Sequence, residues 1–210
     1  MTNKDTATRL LDKAGKTFAL DAGITLADKP APLYRLLVLS TLLSTRVRAE
    51  IAVDAARELS RAGMRTPKAM AEASWQARVD ALGRAHYRRY DEQTATALGK
   101  GAEQLLERYG GDLRRLRDES SSREQLRRAL AEFPRLGPVG ADIFLREVQQ
   151  VWPEYRPALD KKVLQGAEKL GLPQNANRLA RLVDDDELAR LAAALVRVAL
   201  RPSLAAGVAS

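Results

Sequence analysis

The chain has 210 residues, 45% of them hydrophobic and 30% charged, with 35 Lys and Arg against 27 Asp and Glu and a net charge of +8. That length suffices for a well-buried core, built as one domain or as two small lobes. With no Cys there can be no disulfide, thiolate nucleophile or cysteine-held zinc or iron–sulfur cluster, and the lone His86 excludes a multi-histidine metal site.

The isoelectric point near 10 points to an anionic partner, although Lys and Arg also simply solubilise a surface. Residues 1–15 carry Lys4, Asp5, Arg9, Asp12 and Lys13, which is incompatible with a secretory leader. The most apolar stretch, Leu188–Leu200, is interrupted by Arg190 and Arg197, so no membrane span is expected. A soluble, cytoplasmic protein is the expectation.

Helical periodicity dominates and no alternating strand pattern emerges. Residues 4–19 form a weakly amphipathic segment. Residues 28–32, with Pro30 and Pro32, read as a connection between lobes. Leu33, Leu36, Leu37, Leu39, Leu42 and Leu43 then make a helix apolar on nearly all sides, as a core element is. Ser44 and Thr45 break it. Residues 49–62 form the next helix, closing at Gly63.

Thr66 and Pro67 have the pattern of an N-cap followed by an N1 proline. Ser74 and Trp75 open another helix, residues 83–90 make a basic turn, and residues 94–108 are helical. Ser122 and Gln125 have capping-box spacing ahead of a helix over 123–133. A tight turn leads to a helix over 138–151, then a rigid loop over 152–157. Asp160 is placed to cap a helix over 161–170, and Asp184 with Glu187 forms a second capping pair before the final helix over 188–200. The tail, 202–210, is expected to fray. About ten helices result, and the fold class is all-α.

The stretch Phe133-Pro134-Arg135-Leu136-Gly137-Pro138-Val139-Gly140-Ala141-Asp142 reads as helix, tight hairpin, helix. A helix reached through such a turn presents free N–H groups and the positive end of its dipole, a site suited to a phosphate. In a basic chain that phosphate points to a nucleic acid backbone.

Four stretches, in order, resemble the helix-hairpin-helix DNA glycosylase superfamily, the endonuclease III-like proteins. Leu42-Leu43-Ser44-Thr45-Arg46 resembles a helix end that reaches into DNA. Thr66-Pro67-Lys68-Ala69-Met70-Ala71 resembles the threonine–proline helix start that follows it there. Residues 133–142 resemble the hairpin, and Asp160 the catalytic aspartate. The likeness spans residues 33–170. It implies two helical lobes, 33–145 ending in the hairpin, and 1–32 with 146–210, with Asp160 at the cleft. It also implies double-stranded DNA as partner and excision of damaged or mispaired bases, without metal or other cofactor.

The departures from the family pattern are informative. Val139 stands where bifunctional members carry the lysine that forms a Schiff base, so that lyase step lacks its nucleophile. Arg135 replaces the first hairpin glycine, where a positive φ is disfavoured for arginine; either the turn is altered or Arg135 adds a phosphate contact of its own. Arg46 stands at the position of a glutamine that fills the gap left by a flipped base. The absent cysteines rule out the iron–sulfur cluster of endonuclease III. Nothing in the sequence fixes the oligomeric state.

Asp160 is the candidate catalytic residue, since a carboxylate stabilises the positive charge that develops on a sugar as its C1′–N bond breaks; helix capping alone also explains an Asp there. Gly137, Val139 and Gly140 are the candidate backbone donors to one phosphate. Arg46 and Arg48 brace or insert into a duplex, or are plain surface charge. Lys161 and Lys162 contact phosphate or are merely solvated. Asp142 is a helix-start residue or a second acid. Residues 86–90 mix aromatic and basic side chains suited to stacking on a base, or form a solvated turn. Trp75 and Trp152 read as core or lobe-interface residues rather than base-stacking ones, and Tyr155 and Arg156 as substrate contacts or plain loop residues. Arg114, Arg115, Arg117, Arg127 and Arg128 make a solvated face or extend the basic surface. Three functions fit: a monofunctional DNA N-glycosylase, a non-catalytic helix-hairpin-helix DNA-binding protein, and a helical interaction protein without DNA chemistry.

Overall fold

A computed structural model describes residues 2–209, and among them there are only helices, turns and loops. The chain divides into two compact units, one made of residues 1–20 and 145–210, the other of residues 21–144. The divisions fall within two helices, Phe18–Asp21 and Gly137–Val148.

In the 21–144 unit, α3 (Pro30–Leu43) is the central element, with Leu33, Tyr34, Leu36, Leu39 and Leu42 all at most 1% exposed. Pro30 and Pro32 belong to its first turn, where a missing N–H costs no helical hydrogen bond. Residues 28–32 are therefore mostly helix start rather than interlobe connection. The segment from Asp21 onward groups with this unit, held where Arg35 Nη2 donates to Gly23 O and where Arg117 pairs with Asp28.

Around α3 stand α4 (Ala49–Arg61), α5 (Pro67–Glu72), α6 (Trp75–Arg84), α7 (Asp91–Tyr109), α8 (Leu113–Asp118) and α9 (Arg123–Ala131). The capping reading holds in this unit: Thr66, Ser74 and Ser122 each accept a backbone N–H three residues on. The sequence reading missed α8, although Asp112 caps it by accepting from the Arg114 N–H. Two of its three arginines are paired, Arg114 with Asp112 and Arg117 with Asp28 and Asp118, while Arg115 is exposed. Then α10 (Gly137–Val148) follows the hairpin.

In the other unit, the segment expected as one helix is two, α1 (Asn3–Ala14) and α2 (Phe18–Asp21), broken at Gly15. Arginines of α13 (Leu188–Leu200) cap the broken end: Arg190 Nε donates to Gly15 O, and Arg197 Nη1 to Ala14 O and Lys16 O. Asp160 opens α11 (Lys161–Lys169), which packs on α13, and a short α12 (Ala176–Ala180) lies between. The Asp184–Glu187 capping pair does not form; a 3-10 turn over Asp185–Glu187 leads into α13 without a side-chain cap. The tail is not frayed over its described part. It forms α14 (Ser203–Ala209), packed on α1 and α13 with Val208 1% exposed, while Ser210 lies outside the described residues.

Helices α11 and α13 meet backbone to backbone at Gly166, where a Cβ would lie 1.9 Å from Leu195 O. Overpacking a backbone contact leaves no flexible side chain to yield. Gly166→Ala should therefore lower stability by about 3 kcal/mol in urea unfolding.

Glu147 is a buried carboxylate that closes the N-terminus of α2, accepting from the Phe18 N–H at 3.2 Å and the Ala19 N–H at 2.8 Å. Burial pushes its carboxyl above the usual range, opposed by those two amides and by Arg146 and Arg197. A raised folded value means this group stabilises the fold fully below the unfolded carboxylate range, and that contribution fades as pH rises through the folded value. Glu147→Gln lacks this titration and turns an amide N–H toward a backbone N–H. Its stability deficit against the wild-type chain should be largest at acid pH and narrow toward neutrality, which denaturant titrations at several pH values will read.

Candidate nucleic-acid interface

The hairpin is a turn held from beneath. Leu136 N–H donates to Phe133 O at 3.1 Å, with Pro134 at the second position and Arg135 at the third, where φ is +61°. Proline followed by a positive φ is the pattern of a type II turn, in which the third residue is ordinarily Gly or Asn. Phe133, Leu136 and Ala141 are at most 3% exposed and anchor the turn in the 21–144 unit.

An arginine in the left-handed region costs on the order of 1 kcal/mol, and neighbours secure this one. Its carbonyl lies 3.1 Å from Ser44 Oγ, which shares its single proton with Thr41 O. Its Nη1 donates to Gln93 Oε1 at 2.7 Å, and its guanidinium stands 5.6 Å from the centre of the Tyr90 ring. Arg135 is thus accommodated in an ordinary turn.

Beyond the turn, α10 opens at Gly137, itself at φ +58°. The opening N–H groups of a helix have no partner within it. Pro138 has none to offer, which leaves those of Gly137 and Val139. The Gly140 N–H is not available, because it donates to Leu136 O at 3.0 Å. Gly140 serves space instead, since a Cβ there would meet Leu136 Cδ1 at 2.6 Å and Ser44 Cβ at 3.3 Å. Val139 points outward, 60% exposed. Asp142 falls in the second turn of α10, away from the dipole's end, and its carboxylate is held by the fork of Arg127, with Nη2 2.9 Å from Oδ2.

Two further loops join this turn. The residues after α3 reach it through Ser44, and Thr45 Oγ1 lies 2.6 Å from Tyr87 OH. Thr45 spends its proton on Leu42 O, so Tyr87 is the donor. Tyr87 is wholly buried and stacks on nothing outside the protein. Tyr90 is the half-buried ring of that loop, with the Arg89 guanidinium 5.4 Å from its centre and that of Arg135 at 5.6 Å. The three loops carry Arg46, Arg48, Arg88, Arg89 and Arg135, all exposed. Among the described residues, Arg46, Arg48 and Arg88 have no ion-pair partner.

In the other unit, Asp160 is the N-cap of α11. Its Oδ1 accepts from the Lys162 N–H at 2.9 Å and the Val163 N–H at 3.1 Å. Arg146 Nη1 donates to both oxygens, at 3.1 Å to Oδ2 and 3.3 Å to Oδ1. The Asp160 side chain is 18% exposed. Lys161 is exposed and Lys162 half-buried, neither with an ion-pair partner among the described residues. Tyr155 and Trp152 are buried and meet edge to face at 6.0 Å, and Arg156 Nε donates to Gln149 O at 2.7 Å, so all three are structural. Trp75 is 41% exposed and donates to Thr96 Oγ1 at 3.1 Å; it is not a core residue.

Sequence reasoning missed Arg146, Gln93 and Gln149. An arginine within the run Ile143-Phe144-Leu145-Arg146-Glu147-Val148 of a core helix was the available signal, because such a cation needs a partner. Among the described residues no group of three or more His, Asp or Glu is arranged to hold a metal ion, and no helix is long and apolar enough to cross a membrane.

The all-helical architecture with its helix-hairpin-helix turn is a fold shared with solved structures of endonuclease III. Two solved structures similar to this chain are a trapped endonuclease III–DNA covalent intermediate, in an estranged-adenine complex, and a non-covalent endonuclease III–DNA complex. Each is 15% identical, with a TM-score of 0.53, covering 94% of this chain and 86% of the other. No known family profile and no curated protein matches the sequence.

Arg135→Gly relieves the positive φ but removes the Gln93 and Tyr90 contacts and frees the unfolded backbone. These effects are each on the order of 1 kcal/mol with opposing signs. The variant should unfold in denaturant within about 1 kcal/mol of wild type.

Proposed function

We propose that this chain is a DNA-repair protein, a monofunctional N-glycosylase acting on damaged or mispaired bases in duplex DNA. The observation that carries the reading is the anchored hairpin, whose Gly137 and Val139 amides open a helix beside three arginine-bearing loops. Amides at a helix start suit one phosphate, and Arg46, Arg48, Arg88, Arg89 and Arg135 suit its neighbours along a strand. Such contacts position a duplex without reading its sequence. The endonuclease III structures similar to this chain are themselves DNA complexes.

Extruding a base costs a few kcal/mol, least for one already damaged or mispaired, which supplies part of the selectivity. Asp160 then opposes the positive charge that grows on the sugar as the C1′–N bond breaks. Water delivers hydroxide to C1′ and a proton to the departing base. With Val139 in place of an amine, no Schiff base forms at that position and the strand is left uncut. A second reading, a non-catalytic helix-hairpin-helix DNA-binding protein, is favoured by Val139, Arg135 and Arg46, each of which replaces a residue with a working role in the resembling family.

Duplex affinity should fall steeply as salt rises, and Arg135→Ala should weaken it and flatten the log–log salt slope by about one. Duplexes carrying single alkylated, oxidised or deaminated bases, treated with alkali after incubation, will reveal abasic sites. Release of a base that Asp160→Asn abolishes supports the glycosylase. Binding without release from any of these lesions supports the second reading, and affinity indifferent to salt sinks both.

A further inference from the structure

We propose that Arg146 is a positioning residue for Asp160, fixing which carboxylate oxygen is left for the substrate; the inference rests on the glycosylase reading of Asp160. Capping alone does not require it. Thr66, Ser74, Ser122 and Asn175 cap their helices through neutral side chains. Asp112, the other aspartate that caps here, pairs with Arg114 two residues on, an arginine whose side chain is 37% exposed. The cation on Asp160 instead comes from a separate helix, fourteen residues back along the chain, and its side chain is 8% exposed. Burying a guanidinium to hold a carboxylate already satisfied at a helix start gains nothing for the cap and carries a desolvation cost.

The surroundings complete the pedestal. Gln149, wholly buried one turn after Arg146, donates its amide to Arg146 O at 2.9 Å and Ala158 O at 3.1 Å, and accepts the Ala158 N–H at 2.9 Å. Arg156 Nε ties down Gln149 O. The backbone two residues before Asp160 is therefore pinned to the same helix that carries Arg146. Arg146 Nη1 spans both oxygens, Oδ1 at 3.3 Å and Oδ2 at 3.1 Å; with Oδ1 also taken by two backbone amides, Oδ2 has Arg146 as its one partner and keeps a lone pair for a ligand. A carboxylate locked in this way needs no reorganisation when charge develops beside it.

The test is single-turnover base release from a duplex carrying the lesion that the wild-type chain excises, with folding checked by thermal melting and duplex affinity measured alongside. Arg146→Gln should lower the rate about a hundredfold, the scale expected for a displaced reacting group, with duplex affinity unchanged. Arg146→Lys, which keeps the cation, should restore part of the rate, and it answers the same question should Arg146→Gln fail to fold. Because Asp160→Asn abolishes release, the double variant is read by duplex affinity and melting: Arg146→Gln should leave the affinity unchanged in both backgrounds, whereas a purely structural role would lower it in both. A wild-type rate for Arg146→Gln, in a chain that Asp160→Asn inactivates, overturns the positioning role and leaves the glycosylase reading standing. A wild-type chain that binds duplexes yet releases no base from any lesion overturns the glycosylase reading, and this role with it.

Discussion

A helix can offer its opening amides to a ligand only if something other than those amides holds the turn in front of it. In this chain that support is apolar burial. Phe133, Leu136 and Ala141 sit in the core of the 21–144 unit, so the turn is held by hydrophobic contact, and the Gly137 and Val139 amides are spared from structural duty. Gly140 shows the same constraint from the other side. Its amide is spent on Leu136 O and its missing side chain admits Leu136 and Ser44. The loops bearing Arg46, Arg48, Arg88 and Arg89 are connected to this turn through Ser44, Thr45, Tyr87 and Tyr90, so their placement follows from the same packing.

The carboxylate at Asp160 illustrates how a capping side chain can retain acceptor capacity to spare. Its two oxygens are unequally engaged: Oδ1 takes two amides of the helix it caps and shares Arg146 Nη1, whereas Oδ2 meets that buried guanidinium alone. Capping fixes the residue, and the asymmetry leaves an oxygen with spare capacity. Val139 and Arg135 mark where this chain departs from the lysine and glycine of the resembling family's hairpin, and both departures are tolerated by the backbone. One is an exposed aliphatic side chain. The other is an arginine whose strain is offset by Gln93, Tyr90 and Ser44.

Much of the fold was legible in the sequence because its signals are local. Thr66, Ser74, Ser122 and Asp160 announced their helices by short polar side chains that can reach a backbone N–H three residues on. The apolar run of α3 announced the core. What escaped notice depends on partners distant in sequence. Asp112 and Asn175 open helices too short to show a periodic face, and the ordered tail draws its stability from α1 and α13. The Asp184–Glu187 spacing misled because the chain makes a 3-10 turn there. In the candidate site, Asp160 was visible as an N-cap; the apolar run around Arg146 signalled a buried cation, but not which distant carboxylate it would meet. The Gly140 amide was assigned to a ligand because its acceptor, Leu136 O, becomes apparent only once the helix start is fixed at Gly137.

The ties that Arg190 and Arg197 make to residues 14–16 bridge up to 183 positions of chain. During synthesis, residues 21–144 can complete their contacts while the ribosome is still reading the remainder. Residues 1–20 have no such option, for α13 emerges more than 160 residues after them. At roughly 5–20 residues per second, the first helix waits several seconds or more for its partner. A nascent chain stalled short of α13 would thus hold a folded middle and an undocked leading segment, open to proteases and chaperones.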